Sequence, residues 1–108
     1  MKLIIGGAYQ GKKQYAREHY GGMEPVCDFH LLVREWLKDG VDPMAYVEEH
    51  LSRYTEKVII CDDIFCGIVP VDPFERKWRE SLGYLLARLT GECDEVVRVF
   101  CGLGTRLK

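Results

Sequence analysis

The octapeptide Gly6-Gly7-Ala8-Tyr9-Gln10-Gly11-Lys12-Lys13 follows directly on the short apolar run Lys2 to Ile5. An apolar run that stops at a glycine pair reads as a buried parallel strand. No helix breaker occurs from Lys12 to about Tyr20, and Gly21-Gly22 then closes that stretch as a helix end. In a strand–loop–helix setting, glycines let backbone N–H groups surround a phosphate, and the helix N-terminus adds partial positive charge. The octapeptide fits Gly-x-x-x-x-Gly-Lys and departs from the full nucleotide-loop pattern at one position. Lys13 stands where a Ser or Thr hydroxyl would ligate Mg²⁺. Gly6, Gly7, Ala8, Tyr9, Gln10, Gly11, Lys12 and Lys13 are therefore the candidate nucleotide-binding residues, with Lys12 reaching the terminal phosphates. An ammonium cannot ligate a cation. Either Lys13 supplies charge where the metal would sit, or it is a solvated residue on a loop that no longer takes nucleotide.

Further along, Val26 to Phe29 reads as a weak strand. Leu31, Leu32, Trp36 and Leu37 recur at helical spacing until Asp39-Gly40. Asp42-Pro43 and Asp72-Pro73 are helix starts, with Asp as cap and Pro in the first turn. The first of these helices carries Met44, Val47, Leu51 and Tyr54 on one face. The second carries a broad stripe from Phe74 and Trp78 to Leu89. Lys57 to Cys61 and Val96 to Cys101 read as strands. Gly102-Leu103-Gly104 reads as a turn, with Thr105 to Lys108 pairing back as a hairpin. Strands alternating with helices imply an α/β fold with a mainly parallel sheet. At 108 residues the chain is expected to form one domain over its whole length.

Carboxylates at the C-terminal ends of parallel strands lie where open α/β sheets bind ligands. Asp28, Asp62 and Asp63 are placed there. Asp28 and Asp62 are candidate metal ligands, and each is equally readable as a helix or turn cap. His19, His30 and His50 share no ligand spacing, and exposed helix positions explain them about as well as any role. The five cysteines form no Cys-x-x-Cys pair and read as small buried hydrophobes in a reducing compartment. Fifteen Lys and Arg against seventeen Asp and Glu argue against a nucleic-acid binder. No window is apolar enough to span a membrane, and the apolar start is too short for a signal peptide, so a cytoplasmic protein is expected.

The C-terminal half carries a more specific pattern. Gly67-Ile68-Val69-Pro70, then Asp94-Glu95-Val96 and Gly102-Leu103-Gly104-Thr105-Arg106-Leu107-Lys108, resemble the adenosylcobinamide kinase / adenosylcobinamide-phosphate guanylyltransferase family, with gap-free spacing from Cys61 to Lys108. Gly6 to Lys12 with Ala16-Arg17-Glu18 resembles its nucleotide loop and first helix. Val26-Cys27-Asp28 followed by Leu31, Leu32 and Trp36 resembles its acidic strand and the helix after it. The resemblance implies a P-loop, RecA-like three-layer α/β domain that binds ATP or GTP with Mg²⁺, acts on a corrinoid and assembles as a trimer. It also implies Asp28 as the metal carboxylate and Asp63 as the group facing the substrate hydroxyl.

The departures are specific. Only Gly21 to Pro25 separate the first helix from the acidic strand, where the family has a further strand and helix bearing its guanylylated histidine. That histidine is carried onto neither His19 nor His30. Asp62-Asp63 stand for the family's Asn-Glu, and Ile64-Phe65 for a Val-Gly pair. A weak or absent metal site and loss of guanylyl transfer are expected, with weak kinase activity as one outcome. The alternative is a non-catalytic homologue acting through binding, with Phe65, Trp78 and the Gly67 to Pro70 loop as contact points.

Overall fold

The chain runs β1 (Lys2–Gly6), α1 (Lys12–His19), β2 (Glu24–Val26), α2 (Phe29–Lys38), α3 (Pro43–Glu49), a 3-10 turn (Leu51–Arg53), β3 (Lys57–Asp62), α4 (Pro73–Glu92), β4 (Glu95–Phe100) and β5 (Leu103–Arg106). This computed structural model describes residues 1–64 and 70–108. Phe65 and the Gly67-Ile68-Val69 portion of the family-like motif lie outside the described residues. The sheet order is β2-β3-β1-β4-β5, parallel except for β5. The mixed, mainly parallel sheet agrees with the alternation read from sequence.

Alternation along the strands sorts their side chains onto two faces. Leu3, Ile59, Cys61 and Val96 face α2, α3 and α4, packing with Phe29, Val33, Val47, Leu82, Leu85 and Leu89. Ile4, Val58, Ile60, Val97 and Val99 form a smaller cluster with Ala16 of α1. Among the described residues, one face therefore carries three helices and the other a single short helix. Tyr20 at the end of α1 crosses to β4, its hydroxyl donating to Glu95 at 2.6 Å.

Both Asp-Pro helix starts form as expected. Asp42 accepts from the Met44 N–H, and Asp72 accepts from the N–H groups of Phe74 and Glu75. Asp72→Ala should cost about 1 kcal/mol, a drop of roughly 4–8 °C in melting temperature, measurable by thermal unfolding.

Five local expectations shift. Strand β2 lies earlier, at Glu24–Val26, and Phe29 opens α2 instead, because its ring is fully buried against Trp36 and Tyr54. Asp28 does not end a strand. It occupies the N-cap position of α2 with φ 54° and makes no side-chain cap hydrogen bond. The helix after Asp42 stops at Glu49, so Leu51 sits in the 3-10 turn and Tyr54 just beyond it. The hairpin turn is Cys101-Gly102, both with positive φ, and Gly104 is already in β5. Of the cysteines, Cys61 and Cys93 are buried as expected and Cys27 and Cys101 are exposed, while Cys66 lies outside the described residues.

Candidate functional site

Gly6 and Asp62 are register partners at the C-terminal ends of β1 and β3. From β1 the chain passes to α1 on one face, and from β3 to α4 on the other. Such a divergence opens a crevice between two strand ends, the place where α/β sheets bind ligands. A cavity of about 530 Å³ lies there, lined by residues that include Ala8, Gln10, Lys12, Lys13, Asp28, His30 and Asp62.

The loop that forms its floor is bent by left-handed residues at Tyr9 (φ 59°) and Gly11 (φ 93°). Gln10 fastens it to the distant hairpin. Its side-chain oxygen accepts the Cys101 N–H at 2.7 Å and its carbonyl accepts the Gly102 N–H at 2.8 Å. A Cβ at Gly11 would stand 3.3 Å from the Gly102 Cα, so loop and turn are in close contact. Among the described residues, no acceptor is found for the amide N–H groups from Gly7 to Lys13. Tightly grouped, unsatisfied N–H groups at a helix start form an anion-binding concavity.

Lys12, in the first turn of α1, is buried to 7% exposure. Its ammonium donates to the Gly7 carbonyl at 2.6 Å and meets Asp62 Oδ1 at 2.8 Å. Lys13, half exposed, lies 3.5 Å from Asp28 Oδ2. Arg17 also lines the cavity and donates to Gln14. Ala8, Tyr9 and Gly11 line it too, with Tyr9 fully exposed at the loop tip. Asp63 is not among the lining residues. Its N–H donates to the Gly6 carbonyl, and its Oδ1 is buried with no partner among the described residues.

His30 overturns its reading as an exposed helix residue. It is 5% exposed, at the start of α2. The Asp62 backbone N–H donates to its Nδ1 at 3.1 Å, and its Nε2 faces Asp62 Oδ2 at 3.5 Å. An accepting Nδ1 fixes the neutral tautomer with the proton on Nε2. The His30 carbonyl in turn accepts the indole N–H of Trp78 at 2.8 Å, so Trp78 is engaged within the chain. No sequence spacing flags this contact, because it joins residues 32 positions apart through the packing of α2 on β3.

Burial lowers the His30 pKa below its ordinary 6.5, against the pull of Asp62 and Asp28 and with Lys12 and Lys13 assisting. The folded state thus binds the proton less readily than the unfolded chain. Stability from the neutral ring is complete above about pH 6.5 and is lost as the pH falls below it. His30→Gln should flatten the decline in urea midpoint between about pH 7 and 5, a window above the ordinary carboxylate range.

A divalent cation held by the protein side chains alone does not fit the donors present. Each carboxylate of the cavity already faces an ammonium, Asp62 with Lys12 and Asp28 with Lys13, and Lys13 occupies the position of the ligating hydroxyl. Among the described residues, no three His, Cys, Asp or Glu side chains converge on one point. Mg²⁺, expected from the resemblance, therefore has no ready donor set in the described residues.

The model of the cobinamide kinase / cobinamide phosphate guanyltransferase family matches residues 28–107. No curated protein matches the chain. The matched segment takes in Asp28, His30, Asp62, Asp63 and the terminal hairpin, and the glycine loop precedes it. No described helix is long and apolar enough to cross a membrane. With about three-quarters of its length under that model, the chain belongs to the cobinamide kinase / cobinamide phosphate guanyltransferase family.

Proposed function

We propose that the chain is a single P-loop domain that binds ATP or GTP in the cavity over residues 6–13 and acts as a phosphotransferase toward a cobinamide-type corrinoid. The observation that carries this reading is Lys12: a nearly buried ammonium at a helix start, beside loop amides without acceptors. Phosphoryl transfer depends mainly on positioning and charge neutralisation, which this arrangement can supply. In the reading, the loop amides and Lys12 hold the β- and γ-phosphates. The acceptor hydroxyl attacks the γ-phosphorus, its proton passes to solvent water, and the bond to the β–γ bridging oxygen breaks to release the nucleoside diphosphate.

Guanylyl transfer through a histidine is not part of this reading. The His30 Nδ1 is engaged by the Asp62 N–H, and His19 lies stacked on Tyr15 at 3.9 Å. A cytoplasmic setting and self-association, as a trimer, belong to the reading through the family resemblance.

A specific observation favours the non-catalytic alternative in part. Phe100, Leu103 and Leu107 are exposed on the β4–β5 edge, and an apolar groove of about 150 Å³ runs beneath α1 between Ala16, Met23, Val58 and Ile60. These surfaces suit a protein partner.

Calorimetric titration with ATP and GTP, followed by a phosphoryl-transfer assay on cobinamide, tests the reading. Saturable binding with transfer of the γ-phosphate supports it. Binding without transfer leaves the non-catalytic alternative standing. No heat at millimolar nucleotide sinks the nucleotide reading.

A further inference from the structure

We infer that this loop takes the polyphosphate of its nucleotide free of metal, with Lys13 providing the charge that a divalent cation would otherwise bring. The inference rests on the nucleotide reading above and adds to it the ionic form of the ligand.

Two ion pairs line the cavity, Lys12 with Asp62 at 2.8 Å and Lys13 with Asp28 at 3.5 Å. Asp28 is free for this role because, although it stands at the N-cap position, no hydrogen bond ties its carboxylate to its own helix. With Arg17, the lining carries three cationic side chains against two carboxylates. A dication entering between Asp28 and Asp62 would have to draw both carboxylates away from their ammoniums and then lie beside those ammoniums. A free polyphosphate meets the opposite situation. Its oxygens accept from the loop amides, and its charge replaces that of the carboxylates at Lys12 and Lys13. The chelated form of the nucleotide carries two fewer negative charges and gains less from the second ammonium. Lys13 thus turns a departure from the loop pattern into a selection for the metal-free ligand.

The test is calorimetric titration of the full chain with ATP, and with inorganic tripolyphosphate, in excess chelator and again in millimolar Mg²⁺. Lys13→Thr is the comparison. Lys13 is about half exposed, so the substitution leaves the core intact. The parent chain should bind both probes at least as tightly in chelator as in Mg²⁺. Lys13→Thr should lose about tenfold or more of the metal-free affinity, as removal of one charge-assisted contact implies, and should bind more tightly with Mg²⁺ than without. Binding by the parent chain that requires Mg²⁺ overturns the inference and leaves the nucleotide reading in place. So does an unchanged metal response in Lys13→Thr. Absence of binding in every condition overturns the nucleotide reading and the inference with it.

Discussion

Lys12→Met should abolish the rise in melting temperature that ATP or GTP produces. At a nucleotide concentration of about 100 times the dissociation constant, the parent chain should gain about 2.7 kcal/mol. For a domain of this size that is a shift of roughly 10 °C or more. The methionine keeps most of the apolar stem of Lys12, which is 7% exposed in α1, while removing the ammonium. Two contacts are lost together, the bond to the Gly7 carbonyl and the pair with Asp62. Among the described residues, Asp62 then keeps His30 beside it and the Gly7 carbonyl has no donor. An unmatched, partly buried polar group costs about 1–3 kcal/mol, so the ligand-free variant should also melt lower than the parent. The two effects separate in one scan series. A variant that melts lower but still responds fully to nucleotide would remove Lys12 from the phosphate site and leave it a structural residue. A variant with unchanged melting and no nucleotide response would mean that the Asp62 pair contributes little, its attraction being offset by the cost of taking both charges out of water.

What the sequence makes legible here is local. The Asp42-Pro43 and Asp72-Pro73 starts depend on a side chain reaching the N–H groups two or three residues on, and both form. The β-branched run at Lys57–Asp62 needs only its own propensity to become a central strand. Misplaced features depend on distant partners or on unusual residues. Val26 to Phe29 has strand-like composition, yet Phe29 is worth more as a helix residue filling the core than as an edge-strand residue. The hairpin turn is one residue early because Cys101 adopts φ 51°, a conformation for which cysteine gives no signal. The candidate site divides the same way. Lys12 and Lys13 follow from the loop pattern and Asp62 from its strand end, Asp28 stands at a helix N-cap position instead, and the fold brings all four to one cavity. His30 follows from neither, since its position depends on where α2 settles against the end of β3. Gln10 is legible as a loop residue, but its tie to the Cys101-Gly102 turn, 91 positions away, is not.

Gly6→Ala should be the most damaging single change in the loop, and Gly7→Ala nearly silent for stability. The sequence motif treats the two glycines alike. The structure separates them. A Cβ on Gly6 would stand 2.4 Å from the Val99 carbonyl oxygen, whereas a Cβ on Gly7 would meet nothing closer than the Gln10 Cγ at 3.6 Å. Relief at Gly6 requires backbone to move, because the clashing atom belongs to β4 rather than to a flexible side chain. Neither backbone is free to yield. Gly6 is in register with Asp62 of β3, and Val99 is in register with Gly104 of β5. Gly104 itself lies against the Tyr15 ring, where an added Cβ would fall within 2.3 Å of the ring edge. A shift of β4 away from β1 would therefore be passed to the hairpin, to the Gln10 tether and to α1. Overpacking of this kind costs about 3 kcal/mol or more when no side chain can give way. That corresponds to a melting temperature lower by roughly 12 °C or more, or to a chain recovered only in the insoluble fraction. Gly7→Ala has no positive φ to strain and open space around it, so its stability should stay within about 0.5 kcal/mol of the parent. Thermal unfolding of the two variants side by side decides the matter. Equal losses at both positions would mean that the close approach of β1 to β4 is not what requires glycine at position 6. A large loss at Gly6 alone would mean that the first glycine is there for the sheet and that the loop's response to nucleotide begins at Gly7.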